Sequence, residues 1–377
     1  MARYALLILP SANRVYADAS VGLTRAELEV FNRAVLGRRL SQMGQTTIGG
    51  VPYVTFAAER IDHGDAAFLA NLSCAYALFQ AEGDVLRPVE LDRLDRFDDD
   101  LITIQKYQGK TNEQFTKLLL NVTLLSSAFA SEMLCRKFAV IDPLCGRGTT
   151  LNQALMFGFD AAGIESDRKD FAAYSAFIQT WLKRKKIKHH AESAPVRRNK
   201  QVVARRLRVS LAATKDDYSS GAAQRLDVVC ADTTAALDYF RPETFDLLVA
   251  DAPYGVQHGS RSAAKGARGA KGAPSAKGGQ DAKGAHRPGG AQGPRGATGL
   301  ARSPLTLLAE AVPVWAGLLR SGGALGIAWN TFVARRDEAA KIFADAGLDV
   351  MDSGPYLDFR HRVDQAITRD ILVARKP

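Results

Sequence analysis

The stretch Phe138-Ala-Val-Ile141-Asp142-Pro143-Leu144-Cys145-Gly146-Arg147-Gly148-Thr149-Thr150-Leu151 decides the fold. Four apolar residues, Phe138 to Ile141, are too few for a helix and stop at Asp142-Pro143, so they predict a buried strand. Gly146 and Gly148 flank Arg147, and the missing Cβ lets the backbone take positive φ or pass close to a ligand. Thr149 and Thr150 are placed to cap a helix over Leu151 to Phe157, which Gly158 closes. Strand, glycine turn and helix N-terminus together predict a nucleotide-type binding corner.

Three ligand classes use such a corner. A phosphate-binding P-loop needs a Lys before its Ser/Thr, and Gly148 is followed directly by Thr149. A nicotinamide-binding turn wants a third glycine for close helix packing, and Leu151 stands there instead. An adenosine without a pyrophosphate remains. Asp160 to Ile164 reads as the next strand and leads to Glu165, 19 residues after Gly146. A carboxylate at that distance, at a strand tip, can accept both ribose hydroxyl hydrogens.

Two further strands end in acids. Asp227 to Cys230 leads to Ala231-Asp232, and Phe245 to Ala250 leads to Asp251-Ala252-Pro253-Tyr254-Gly255. The motifs D-P-L-C-G-R-G-T-T (Asp142 to Thr150), G-I-E-S-D (Gly163 to Asp167) and L-L-V-A-D-A-P-Y-G (Leu247 to Gly255) resemble those of class I S-adenosylmethionine (SAM) dependent nucleic-acid amino-methyltransferases. Within them the chain is most similar to the THUMP-associated tRNA guanosine N2-methyltransferases, and more distantly to adenine N6-methyltransferases. The similarity runs from about Gly109 to Gly255 and thins from Leu305 onward.

That resemblance implies an α/β fold: a Rossmann-like, seven-stranded methyltransferase sheet whose last strand is antiparallel. It implies SAM as cofactor and a nucleic acid, tRNA first, as partner. The cofactor set is then Asp142, Pro143, Cys145, Gly146, Gly148, Thr149, Glu165 and Asp232, with Asp232 accepting from the adenine amino group. The catalytic set is Asp251, Ala252, Pro253 and Tyr254. Asp251 and a backbone carbonyl hold the hydrogens of an exocyclic amine, and Tyr254 stacks on the base. The family's loop reads Asp-Pro-Pro-Tyr, so Ala252 is a departure that keeps the carbonyl and loosens the turn. Taken alone, D-A-P-Y-G is also a plain turn sequence. Adenine N6 methylation of DNA or RNA is a second reading; a non-catalytic SAM-binding nucleic-acid binder is a third, opposed by the intact Gly146, Gly148, Glu165, Asp232 and Asp251.

Around this centre, residues 1–90 predict a small accessory α/β unit with the order β-α-β-β-α-β of a ferredoxin-like fold. Its elements are Tyr4 to Leu9, a helix opened by a capping box at Thr24-Arg-Ala-Glu27, a hairpin at Gly49-Gly50, a helix over Ala66 to Phe79 and a last strand over Val85 to Val89. It either delivers RNA or only packs. Residues 91–110 read as an acidic linker, and 111–258 with 300–377 as the methyltransferase domain. Thr111 is placed to cap the helix that follows with Gln114, and Lys110 or Thr111 to touch the cofactor.

The net charge of +10 is unevenly spread. Residues 256–303 carry +8, leaving +2 for the rest, so charge alone says little about the folded surface. Within 256–303, the stretch 259–299 is rich in Gly, Ala and Lys, has too little proline and too irregular a glycine spacing for a collagen helix, and predicts a disordered basic insertion. The folded part has one concentrated basic region, K-R-K-K-I-K-H-H from Lys183 through R-R-N-K and A-R-R-L-R, readable as a phosphate contact or a solvated helix end. Adjacent His189 and His190 lack ligand spacing, so no metal is expected. Four cysteines without C-x-x-C spacing fit a cytoplasmic protein, and no segment reaches the roughly 18 apolar residues of a membrane span. Oligomeric state is not legible.

Overall fold

A computed structural model of the chain describes residues 1–11, 13–107, 109–252 and 304–377. Pro253, Tyr254 and the insertion 259–299 lie outside the described residues. The N-terminal unit runs β1 (Ala2–Ile8), α1 (Arg14–Ala34), β2 (Ser41–Ile48), β3 (Val51–Ala58), α2 (His63–Leu69), β4 (Ala75–Glu82) and β5 (Val85–Val89). Its sheet has the order β2-β3-β1-β4-β5, every neighbouring pair antiparallel. Gly49 and Gly50, at φ 58° and 82°, make the tight turn of the β2–β3 hairpin.

Two expectations for this unit are corrected. The Thr24–Glu27 pair does not open a helix: α1 starts at Asn13, whose side chain accepts from Tyr16 N. Both residues are buried in mid-helix, where the i,i+3 spacing of a capping box simply puts two side chains on one face. The span Ala66 to Phe79 is not one helix either. It ends at Leu69, Asn71 turns its amide back to the Ala67 carbonyl at 2.9 Å, and Ala75–Glu82 continues as a strand beside β1. Ala75 and Leu78 are both buried although three apart, a spacing that imitates a helix, because the β1–β4 pairing shifts register between Leu7 and Ile8. Val85–Val89 is therefore an added edge strand, the position where Pro88 is tolerated.

The rest of the chain runs α3 (Asp100–Thr103), α4 (Glu113–Ser126), β6 (Ala139–Asp142), α5 (Thr149–Met156), β7 (Asp160–Glu165), α6 (Arg168–Arg184), β8 (Lys188–Arg198), β9 (Gln201–Ala212), α7 (Lys215–Ser219) and β10 (Gln224–Cys230). It continues through β11 (Phe245–Asp251), α8 (Pro304–Leu318), β12 (Leu319–Asn330), α9 (Arg336–Asp345), β13 (Asp349–Met351), β14 (His361–Arg362) and β15 (Thr368–Arg375). These strands form one mixed sheet in the order β13-β15-β12-β11-β6-β7-β10-β9-β8, with β14 on β15. The five central strands β12, β11, β6, β7 and β10 are parallel, and β15 is antiparallel to β12.

The described residues thus form ten strands in this sheet rather than the seven expected. The additional ones are the short β14 and the long β8–β9 hairpin. The hairpin was hidden under the basic run: Leu207, Val209 and Leu211 recur at the strand period of two and are all buried. From β6 the chain builds outward through β7 to β10, then crosses back to β11 and β12. The order therefore reverses between β6 and β11, and such reversals open a crevice at the carboxyl ends of the strands.

The small sheet and the large one share apolar packing. Tyr16 of α1, Phe115 of α4 and His361 of β14 meet with ring centroids 5.3–6.5 Å apart. Buried Glu27 accepts from Ser73 N at 3.0 Å, Ser73 Oγ at 2.6 Å and Asn121 Nδ2 at 2.7 Å. Residues 91–110 lie along the large unit: Arg96 N donates to the Met156 carbonyl, Trp181 Nε1 to Asp100, and Lys185 pairs with Asp98 and Asp100 at 2.7 Å each.

Candidate active site

Four adjacent parallel strands end in carboxylates at one edge of the sheet. In spatial order these are Asp251 at the tip of β11, Asp142 of β6, Glu165 of β7 and Asp232 two residues past β10. A cleft of about 550 Å³ opens there, and Pro143, Leu144, Glu165, Asp232, Thr233 and Asp251 are among its walls. That volume suits a ligand of nucleoside size. Pro143 and Leu144, just ahead of the glycine turn, and Asp251, at the tip of β11, thus line one cavity.

The corner is held from behind. Cys145 is buried, its amide bonded to the Ile164 carbonyl at 3.0 Å, and burial pushes its thiol well above the usual range. Gly163 of β7 leaves it room: a Cβ there would come within 2.8 Å of Cys145 Sγ. Gly146 has φ 50° with open space where a Cβ would stand, and its amide donates to Glu165 Oε2 at 2.8 Å. Gly148, at φ 81°, is the N-cap of α5, and a Cβ there would land inside the Tyr174 ring. α5 therefore has no side-chain cap. Thr149 and Thr150 lie inside the helix instead: Thr149 Oγ1 is 3.2 Å from Tyr107 OH, and Thr150 bonds Asp142. Arg147 turns to Asp170, at 2.8 Å, and to the Tyr107 ring.

Glu165 is gripped by two backbone donors, Gly146 N on Oε2 and Asp167 N on Oε1 at 2.6 Å. Each oxygen accepts more than one hydrogen bond, so the fixed carboxylate can take a pair of vicinal hydroxyls. Asp232 Oδ1 accepts from Thr234 N at 2.9 Å and Thr234 Oγ1 at 2.7 Å, which orients it at the start of a 3-10 turn. The Asp142 carboxyl is buried, and that burial raises it to about 7 against the pull of the Leu144 amide and the Thr150 hydroxyl; Asp251 and Glu165 raise it further. Burial also raises Glu165, partly offset by its two amide donors. Carboxylates on neighbouring strand tips repel, so a cationic ligand in the cleft is favoured.

Asp251 receives the Thr111 hydroxyl on Oδ2 at 2.5 Å, and Arg369 Nη2 lies 3.6 Å from the same oxygen. Arg369 comes from β15 and rests its guanidinium 4.3 Å from the Phe115 ring centre. Thr111 is thus not the cap of α4; Asn112 is, accepting from Phe115 N at 3.1 Å, while Gln114 reaches the Leu9 carbonyl. Lys110 is bound to the Ile102 carbonyl and Glu113. Ala252 is buried and its amide bonds the Ala328 carbonyl at 2.8 Å. Sequence reasoning assigned no part in the site to Arg369, to Tyr174 or to Gly163. Gly163 carried a readable signal, a glycine inside a strand; Arg369 carried none.

No family model and no curated protein sequence matches the chain. Among solved structures it is similar to the T. thermophilus 16S rRNA N2 G1207 methyltransferase (RsmC) in complex with AdoMet and guanosine, at 12% identity and TM-score 0.35, over 93% of this chain and 61% of that one. A putative RNA methyltransferase, PH1948 of Pyrococcus horikoshii, gives 11% identity and TM-score 0.34 over 74% and 90%. A TehB-like SAM-dependent methyltransferase from Corynebacterium glutamicum gives 13% and 0.32 over 66% and 85%. These are loose likenesses, and the chemistry of the site stands on its own residues.

Proposed function

We propose that the chain is a SAM-dependent methyltransferase that modifies an exocyclic amino group of an RNA base, with guanosine N2 of tRNA as the target. One observation carries the reading: Glu165, Asp232 and Asp251, from three strands, face a single cleft at the point where strand order reverses. The residues fit the cofactor. Glu165 suits the ribose hydroxyls, Asp232 the adenine amine, and Gly146 leaves open space beside the backbone. The cluster of carboxylates suits a cationic group.

When bound, SAM supplies an electrophilic methyl carbon on a positively charged sulfur. The chain must then prepare the acceptor nitrogen, whose lone pair is delocalised into the base. Asp251, steadied by Thr111 and Arg369, accepts one amine hydrogen, and the Ala252 carbonyl is assigned the other. Held this way the nitrogen pyramidalises and its lone pair turns toward the donor. Most of the acceleration comes from orienting the two reactants. Pro253 and Tyr254 complete the loop on sequence grounds, Tyr254 as a stacking surface worth about 1–3 kcal/mol.

The same reading takes β10, β7, β6, β11, β12, β15 and β13 as the seven-stranded methyltransferase core. It takes the small sheet, in which β4, β1, β3 and β2 are neighbours, as a ferredoxin-like unit that helps present RNA, and 91–110 as the connection between the two. The test is direct. The full-length protein is incubated with methyl-labelled SAM and separate tRNA, rRNA and DNA pools, which are digested to nucleosides. Label in N2-methylguanosine from tRNA is expected. Label in no nucleoside, with SAM bound, defeats the proposal.

A further inference from the structure

We infer that the β8–β9 hairpin is an arm that grips the phosphate backbone of the substrate RNA, an inference that rests on the methyltransferase reading above. Its position comes from strand register. Glu165 pairs with Cys230, Cys230 with Arg205 and Arg205 with Pro195, so these four residues form one row across β7, β10, β9 and β8. β7 and β10, the two strands next to the hairpin, stop at that row. The hairpin does not: Gln201 to Ala204 and Val196 to Arg198 continue past it, by about 13 Å at ~3.3 Å per residue. Asn199 and Lys200, at φ 48° and 66°, close the tip. The arm therefore stands up beside the mouth of the cleft, next to Asp232.

The arm is anchored. Ala204 is buried and Val196 packs against the same apolar core. Arg198 reaches the Asp238 carbonyl at 2.6 Å and its carboxylate at 3.1 Å, and lies 5.6 Å from the Tyr239 ring centre. A merely solvated charge run would not be braced in this way.

Its charge is one-sided. From Ser193 to Ala213 there is no acidic residue, against Arg197, Arg198, Lys200, Arg205, Arg206 and Arg208. Arg206 is bound to Asp227 through two contacts of 2.6 Å, with Arg208 3.8 Å from the same carboxylate. Arg197, Lys200 and Arg205 are exposed and make no salt bridge among the described residues. Three cations on a rigid arm beside a nucleoside-sized cleft suit a polyanion whose base enters that cleft.

The experiment compares the full-length protein with Arg197→Gln/Lys200→Gln/Arg205→Gln, using a fluorescent tRNA pool at several salt concentrations, and SAM by calorimetry. Lys341→Gln, an exposed cation on α9, is the control. The triple variant is expected to keep SAM affinity and thermal stability, to bind tRNA at least about 10-fold more weakly, and to lose about 2 from the log–log salt slope. Lys341→Gln is expected to change neither. Unchanged tRNA affinity and slope, in a wild-type protein that does methylate RNA, overturns the arm and leaves the enzyme standing. A wild-type protein that binds SAM and methylates no nucleic acid overturns both.

Discussion

Thr111 Oγ1 donates to Asp251 Oδ2 at 2.5 Å, joining the residue just ahead of α4 to the tip of β11 across 140 positions of sequence. With Arg369 on the same oxygen, this bond sets the direction in which the carboxylate presents itself. Thr111→Val removes the donor and little volume. Methyl transfer is expected to fall about 10- to 100-fold, the scale of a hydrogen bond to a charged group, with SAM affinity almost unchanged. Thr111→Ser should restore most of the rate. Asp251→Ala should bind SAM and lose transfer by at least about 100-fold. Normal turnover by Asp251→Ala removes it from the mechanism.

The two glycines of the corner should respond differently. Gly148→Ala combines positive φ with a Cβ inside the Tyr174 ring, so a loss of roughly 2–5 kcal/mol is expected in denaturant unfolding. Gly146→Ala meets open space and costs only about 1 kcal/mol in backbone strain. Its effect should appear instead as weaker SAM binding by calorimetry.

Glu165 is held by one backbone amide on each oxygen, so Glu165→Gln sets an amide nitrogen against one of those donors. SAM affinity is expected to drop roughly 10-fold or more as the glycine corner loosens, given the cost of an unmatched buried donor. An unaltered dissociation constant would show that the ribose is held elsewhere.

Stability should depend on pH through two buried acids. Burial raises Glu27 to about 7 and Asp142 to about 7, well above their unfolded values. The folded protein therefore binds more protons than the unfolded chain between about pH 4 and 7, and stability falls as pH rises through that window. Thermal unfolding from pH 5 to pH 8 should show the decline, and Glu27→Gln should flatten it. Equal slopes for the two proteins would rule out Glu27 as a source.

Much of this was legible in the chain, for definite reasons. A strand that stops at Asp142-Pro143 and a glycine turn are local signals, and so are the acids at fixed places after β7, β10 and β11. Their meeting in one cleft is a matter of strand order, which local pattern does not encode. The T-R-A-E box misled because its spacing serves a buried helix face as well as a helix start. The β8–β9 hairpin was masked because the eye follows charge, whereas Leu207, Val209 and Leu211 carry the period. Arg369 was invisible: it reaches Asp251 only because β15 folds back antiparallel beside β12.

The wedge of Tyr16, Phe115 and His361, with the buried grip of Glu27 on Asn121, denies the small sheet a hinge. Swinging it away would strip water-free aromatic faces and strand a carboxyl group in the gap. Whatever the N-terminal unit holds must therefore arrive at a set span from Asp251. On the reading proposed above, with RNA held by the N-terminal unit, the chain would select its target the way a fixed calliper does, by length, and a helical insertion between the gripped part and the target base would move that base out of reach.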